Sequence, residues 1–191
     1  MRNSSCLSLI AFVLGITVSV EAETYSVDVT HSSVDFTIRH LVSRTKGRFG
    51  DFTGSIDYDP TNPTVRVSGT IQVGSIDTGN ERRDRHLQNA DFFDAAKFPT
   101  ITFESTGTAI DEGVLNVTGN LTMHGVTREA TLPVVVLGTG TNPRSGKAQA
   151  GFEARVTILC SEYGVNSWER FSAILGDEVE IHVLIEANAD D

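Results

Sequence analysis

Apolar residues recur at every second position along most of this chain, and that period of two constrains the fold more than any other feature. Val34, Phe36, Ile38 and His40 alternate with Asp35, Thr37 and Arg39. The same spacing returns in Phe52, Ile56 and Tyr58, in Val65, Val67, Ile71 and Val73, and in Ile101, Phe103 and Ser105. It continues in Leu115, Val117, Leu121 and Met123, and in Val126, Ala130, Leu132, Val134 and Val136. Ala150, Phe152, Ala154 and Val156 follow it, as do Val179, Ile181, Val183 and Ile185. Neighbouring side chains of a strand point to opposite faces, so each stretch reads as a strand with one apolar face. Eight main strands are expected, with a short further one at Tyr25 to Val29, and no stretch is long and amphipathic enough for a major helix.

Turn signals separate the stretches. They are Asp59-Pro60 with Asn62-Pro63, the run Asp111-Glu112-Gly113, the pair His124-Gly125, and the segment from Gly138 to Pro143. Short connections favour antiparallel neighbours. An antiparallel sheet with one apolar face closes into a barrel or folds into a sandwich, since both bury that face and protect the edges. The alternation alone does not choose between the two.

Residues 75–105, SIDTGNERRDRHLQNADFFDAAKFPTITFES, depart from the pattern. Asn80 is placed to cap a short helix bearing Glu81 and Arg85 four residues apart, with Asp84 near its positive end. A second helical turn is expected from Asp91, with Asp94 as in a capping box, Lys97 near its negative end, and Phe98 and Pro99 as its stop. Two small helices carrying Leu87, Phe92, Phe93 and Phe98 between strands read as a plug or lid on a β-structure.

The first 22 residues read as a cleaved signal peptide: Arg2, an apolar stretch from Leu7 to Val20, then Val20-Glu21-Ala22 as a small-residue cleavage site. The apolar stretch is short for a bilayer and is interrupted by Ser8, Gly15, Thr17 and Ser19, so no stable membrane span is expected after processing. A periplasmic or secreted protein follows, comprising residues 23–191. Its formal charge of −10 argues against nucleic acid or an anionic membrane surface as the main partner. Cleavage leaves Cys160 as the one cysteine, so no internal disulfide can form, and burial as a small apolar side chain is its expected role. The oligomeric state is left open, a homodimer being one option.

The motif TGNERRDRHL at 78–87 followed by ADFFDAAKFPTITFES at 90–105 resembles the YceI-like family of exported, lipocalin-like polyisoprenoid-binding proteins. HSSVDFTIRHL at 31–41, GRFGDFTGSI at 47–56, LTMHGVTREATLPV at 121–134 and GFEA at 151–154 resemble it too, in the same order, so the likeness runs from Tyr25 to Ala187. The resemblance implies an all-β, antiparallel, eight-stranded lipocalin-like barrel with short helices between two strands. It also implies a long apolar tunnel for an isoprenoid chain, such as a polyprenyl phosphate or a quinone tail, held without a covalent bond and with no other cofactor. On that reading the tunnel wall is drawn from Val34, Phe36, Ile38, Phe49, Phe52, Ile71, Ile101, Phe103, Leu121, Met123, Leu132 and Phe152. Without the resemblance, a fully packed core with Gly54, Gly69 and Gly119 at bends explains the same residues equally well.

Arg83, Asp84 and His86 match the family motif at the expected mouth. They have two readings: a head-group site, in which arginine grips a phosphate, or a local network tying the helix to the barrel. The stretch from Cys160 to Gly164 departs from the family pattern, which carries a basic residue before an Asp-Phe-Gly-like step; a neutral head such as a quinone or fatty amide is the alternative that this raises. Ser161 to Gly176, with Trp168, Arg170 and Phe171, is the least family-like loop.

The competing classes are a structural or stress-protective module and a metal-dependent enzyme. His31, His40, His86, His124 and His182 are scattered, with no spacing that makes a metal site, so neither metal nor catalytic residues are expected. Nucleophile elbow, phosphate loop and dinucleotide fingerprint are all missing from the sequence. Asn116 and Asn120 each open an Asn-x-Thr triplet, but both fall on an expected strand.

Overall fold

The computed structural model describes residues 22–61, 64–165 and 173–190. The expected signal peptide, apart from Ala22, lies outside them, as do Trp168, Arg170 and Phe171. The alternating stretches form β1 (Glu23–Val27), β2 (Ser33–His40), β3 (Ser43–Phe49), β4 (Phe52–Asp59), β5 (Thr64–Gln72), β6 (Ile76–Asp77), β7 (Thr100–Asp111), β8 (Val114–Met123), β9 (Val126–Thr141), β10 (Ala148–Leu159) and β11 (Leu175–Ala189). Helix α1 (Glu81–Leu87) lies between β6 and β7.

These segments make eight staves, because three pairs are bent halves of one strand. β1 and β2 both run along β11, with Val27 opposite Ala187 and Val34 opposite Val183. β3 and β4 run beside them in turn, and β5 and β6 beside those, with Phe52 opposite Ile71 and Phe49 opposite Ile76. The β1–β11 pairing closes the ring into an eight-stranded antiparallel barrel in which every stave neighbours the next in sequence.

Side chains and turns satisfy the backbone where the staves bend. Asp28 accepts from the Thr30 amide at 2.9 Å, and the Glu186 amide donates to Ser32 Oγ at 3.0 Å, across the turn between β1 and β2. The Gln72 amide donates to the Asp51 carbonyl at 2.9 Å and that of Gly50 to Ser75 at 3.2 Å, joining the next two bends.

Strand β3 was not expected from the alternation. Its inward side carries Thr45 and Gly47 before Phe49, so no apolar period marks it, while Arg44, Lys46 and Arg48 take the other face. The second small helix is absent as well. Residues 89–97 form successive turns instead, and Asp94 has φ +46°, a left-handed conformation that ends helical propagation rather than capping it.

The interior falls into two apolar clusters. One end is packed solid: Tyr58 and Phe152 meet edge to face at 5.5 Å, among Val65, Val117, Ala150 and Ala187. The other end is built around Phe49, Phe52, Ile101 and Met123 and reaches the lid through Phe92. Three rings lie against glycines of a neighbouring segment. A methyl group added to Gly47 would sit 2.3 Å from the Phe36 ring, one on Gly119 2.5 Å from Phe103, and one on Gly125 2.5 Å from Phe98. On adjacent strands such pairs let a large ring fold onto the wall instead of projecting across the lumen.

The β8–β9 turn shows how tightly this is specified. His124 and Gly125 have φ +52° and +76°, the two-residue hairpin that matches strand twist, and the Phe98 ring fills the space where a larger residue would stand. Gly113 also has positive φ, +84°, but open space around it. Replacing Gly113 by Ala should therefore cost about 1 kcal/mol, the conformational part alone. Gly125→Ala should cost about 2 kcal/mol or more and lower Tm by roughly 4–8 °C. Equal Tm losses in thermal melts of the two variants would contradict the ring contact.

Candidate functional site: an apolar cavity under a charged lid

The cluster nearer the lid does not fill its end of the barrel. A cavity of about 480 Å³ remains, walled by inward residues of the staves and roofed by Leu87, Phe92 and Phe93 from the segment that follows β6. Val34, Phe36, Ile38, Phe49, Phe52, Ile71, Ile101, Phe103, Leu121, Met123 and Leu132 all line it. Phe152, the remaining member of the expected wall, does not; it packs beneath the cavity against Tyr58.

Alternation alone could have found more of the wall. Val179, Ile181, Val183 and Ile185 of β11 and Val156 of β10 line the cavity and belong to the same apolar stretches. Val27, Cys160, Val165 and Leu175 also contribute, from positions at bends and strand ends where period two breaks down. Glycines widen the middle. Gly54 and Gly69 face each other across β4 and β5, and a methyl group on Gly69 would meet nothing closer than a carbonyl oxygen at 3.8 Å.

An aromatic line connects wall to roof. Phe36 lies 5.6 Å from Phe49, and Phe49 meets Phe93 edge to face at 6.2 Å. Cys160 is buried in this apolar surface, and its thiol is pushed up to about 12 by burial and then by the charge of Asp177. A thiol so disfavoured as thiolate is a poor nucleophile, in keeping with the role of a small apolar side chain.

Among the described residues no polar or charged side chain is fully buried, and the charged groups that reach the cavity from the lid are those of α1. Asn80 caps α1 through the Arg83 amide at 3.1 Å, and Glu81 and Arg85 pair at 3.5 Å. Asp84 is turned onto Thr78, accepting from its amide at 2.9 Å and from its hydroxyl. Arg83 converges on the same residue, donating from Nε to Thr78 Oγ1 at 2.7 Å and from Nη2 to the Thr78 carbonyl at 2.8 Å. Asp84 thus has a structural task and is not on the cavity wall, whereas Arg83 and His86 are. These two also face a polar hollow on the other side, shared with Asn80, Arg82, Arg85 and Asn89. The His86 ring packs edge to face on Phe92 at 5.0 Å and reaches Asp91 at 3.4 Å. One surface of α1 is therefore apolar roof and the adjoining one a basic rim.

The histidines do not converge. His40 is on the cavity wall, His124 is in the β8–β9 turn with Nδ1 3.3 Å from the Tyr163 carbonyl, and His182 lies 2.8 Å from Glu153. Among the described residues, Asp28, His31 and Glu186 alone bring three metal-capable groups together. His31 is exposed there and already bound to Asp28 at 3.0 Å, a contact that raises its pKa above the usual histidine value.

Comparison with known proteins agrees with this architecture. The family model for the YceI-like domain matches residues 25–187. Protein YceI of Salmonella arizonae is 40% identical over 162 residues, covering 83% of this chain and 84% of its own. The crystal structure of Burkholderia cenocepacia BcnA superposes with a TM-score of 0.77 at 30% identity, covering 84% of this chain and 99% of that one. A polyisoprenoid-binding domain from Saccharophagus degradans, implicated in plant cell wall breakdown, shares the fold at a TM-score of 0.63 and 19% identity, over 87% of this chain and 98% of its own. With the family pattern spanning nearly all of the described barrel and its lid, this chain belongs to the YceI-like family.

Proposed function

We propose that the protein is a binding protein for a long apolar lipid of isoprenoid type, with the tail in the barrel and the head at the rim formed by α1. The observation that carries this reading is the cavity of about 480 Å³ with its almost wholly apolar wall. Left empty, an apolar void of that size would forfeit on the order of 10 kcal/mol of packing, as much as the whole net stability of an ordinary domain. A slender chain restores those contacts and is itself withdrawn from water, at about 25 cal/mol per Å² of apolar surface. The polyisoprenoid-binding description of the related Saccharophagus degradans domain supports the same ligand class.

A wall with few directional groups selects shape rather than chemical detail, and nothing in it resembles an assembled catalytic constellation. Head-group discrimination falls to Arg83 and His86. Arg83 spends two donors on Thr78 and has its Nη1 group left for a phosphate or a quinone oxygen. Export through the leader at residues 1–22, leaving the domain at 23–191 in a periplasm or outside the cell, would place the carrier where it meets lipids leaving a membrane.

Native mass spectrometry of the purified protein, followed by organic extraction, should reveal a stoichiometric apolar ligand with an isoprenoid or similarly extended chain. A protein that is empty and takes up no added prenol would contradict the proposal. Arg83→Ala should weaken binding of a prenyl phosphate about tenfold or more while leaving the matching prenol little affected. Lowered Tm with unchanged phosphate affinity would reduce Arg83 to a brace for Thr78.

A further inference from the structure

The cavity is blind. Its floor is a layer of inward residues, Ile56, Val67, Phe103, Leu132, Ala154 and Ile185. The next inward position along β4 is Tyr58, along β5 Val65, along β9 Val134, along β10 Phe152 and along β11 Ala187, and every one of these is buried. Phe152 lies in this lower layer, with its ring edge to face against Tyr58 at 5.5 Å and an interplanar angle of 90°. Directly above it on the same strand is Ala154, the smallest side chain of the floor.

We propose that Phe152, braced by Tyr58, sets the longest tail that the barrel accepts, and that the small side chain at Ala154 fixes how far above that ring the tail stops. This rests on the reading of the cavity as a lipid-tail site and adds a specificity determinant to it. A ruler must lie beyond the end of the ligand and resist displacement. Phe152 meets both conditions, since it is 4% exposed yet off the cavity wall, and its ring is locked by a perpendicular neighbour in a close-packed cluster. Each isoprene unit that still finds room below the entrance adds buried apolar surface; units beyond the limit remain at the mouth in water and add little.

The test is a chain-length series of linear prenols, from farnesol through geranylgeraniol to solanesol, titrated against the full exported protein stripped of lipid. In the wild type, affinity should rise about tenfold or more per isoprene unit up to a limit and then level off. Phe152→Ala should move that limit to longer prenols by roughly one unit, since removing the ring opens the next layer. Ala154→Leu should move it in the opposite direction, and because it grows into open space it tests the proposal even where Phe152→Ala fails to fold. A limit unchanged in Ala154→Leu, or in a folded Phe152→Ala, would overturn the ruler while leaving the tail site standing. Failure of the wild type to bind any prenol would overturn the tail site, and the ruler with it.

Discussion

The structure depends on how a closed ring of strands disposes of its aromatic side chains. Eight staves bring one apolar face each to the axis, and a barrel of that size is ordinarily filled by what its strands carry. Here Phe36 and Phe103 fold back onto Gly47 and Gly119 of the adjacent strand, while Gly54 and Gly69 contribute no bulk at mid-height. The rings remain part of the wall and the lumen stays hollow at one end. At the other end, among the described residues, no glycine takes a ring in this way, and Tyr58, Phe152 and their neighbours close the base.

That division explains why charge is found where it is. A chain with a formal charge of −10 places no charged group in its interior among the described residues, and it gathers Arg82, Arg83 and Arg85 on a seven-residue helix at the open end. The helix is too short to be stable on its own propensity. It is fixed from outside by Asn80 at its cap, by the contacts of Asp84 and Arg83 with Thr78, and by the Gln88 side chain donating to the Gly74 carbonyl at 3.2 Å. Leu87, Phe92 and Phe93 then turn the apolar side of the same segment to the cavity. Entrance chemistry and roof are thus two faces of one element.

Much of this was legible in the alternation, because a strand that buries one face must write that face at every second position. The strand of each stave follows from that rule, as do most of the inward residues; that they close a barrel around a cavity is what the family resemblance added. What escaped it has identifiable causes. β3 presents Thr45 and Gly47 inward, so the residue that permits Phe36 to lie flat is the one that erases the strand signal. The second lid helix fails because Asp94 adopts a left-handed conformation, while Phe92 and Phe93 of the same turns pack into the lid-end cluster. Phe152 has the same pattern as Phe103, and only the depth of each along the barrel separates floor from base. Alternation reports a face, not a height.

Gly69 offers the most direct test that the hollow is a binding site. It faces the lumen with a φ outside the left-handed region and open space in front of it, so a leucine there fits the strand and fills the cavity instead of distorting the wall. The measurement is the bound-lipid content of the purified Gly69→Leu protein by native mass spectrometry, taken together with its Tm. The account predicts lipid lost or sharply reduced in a protein that melts at or above the temperature of the lipid-free wild type. Full lipid occupancy in a folded Gly69→Leu variant would contradict it.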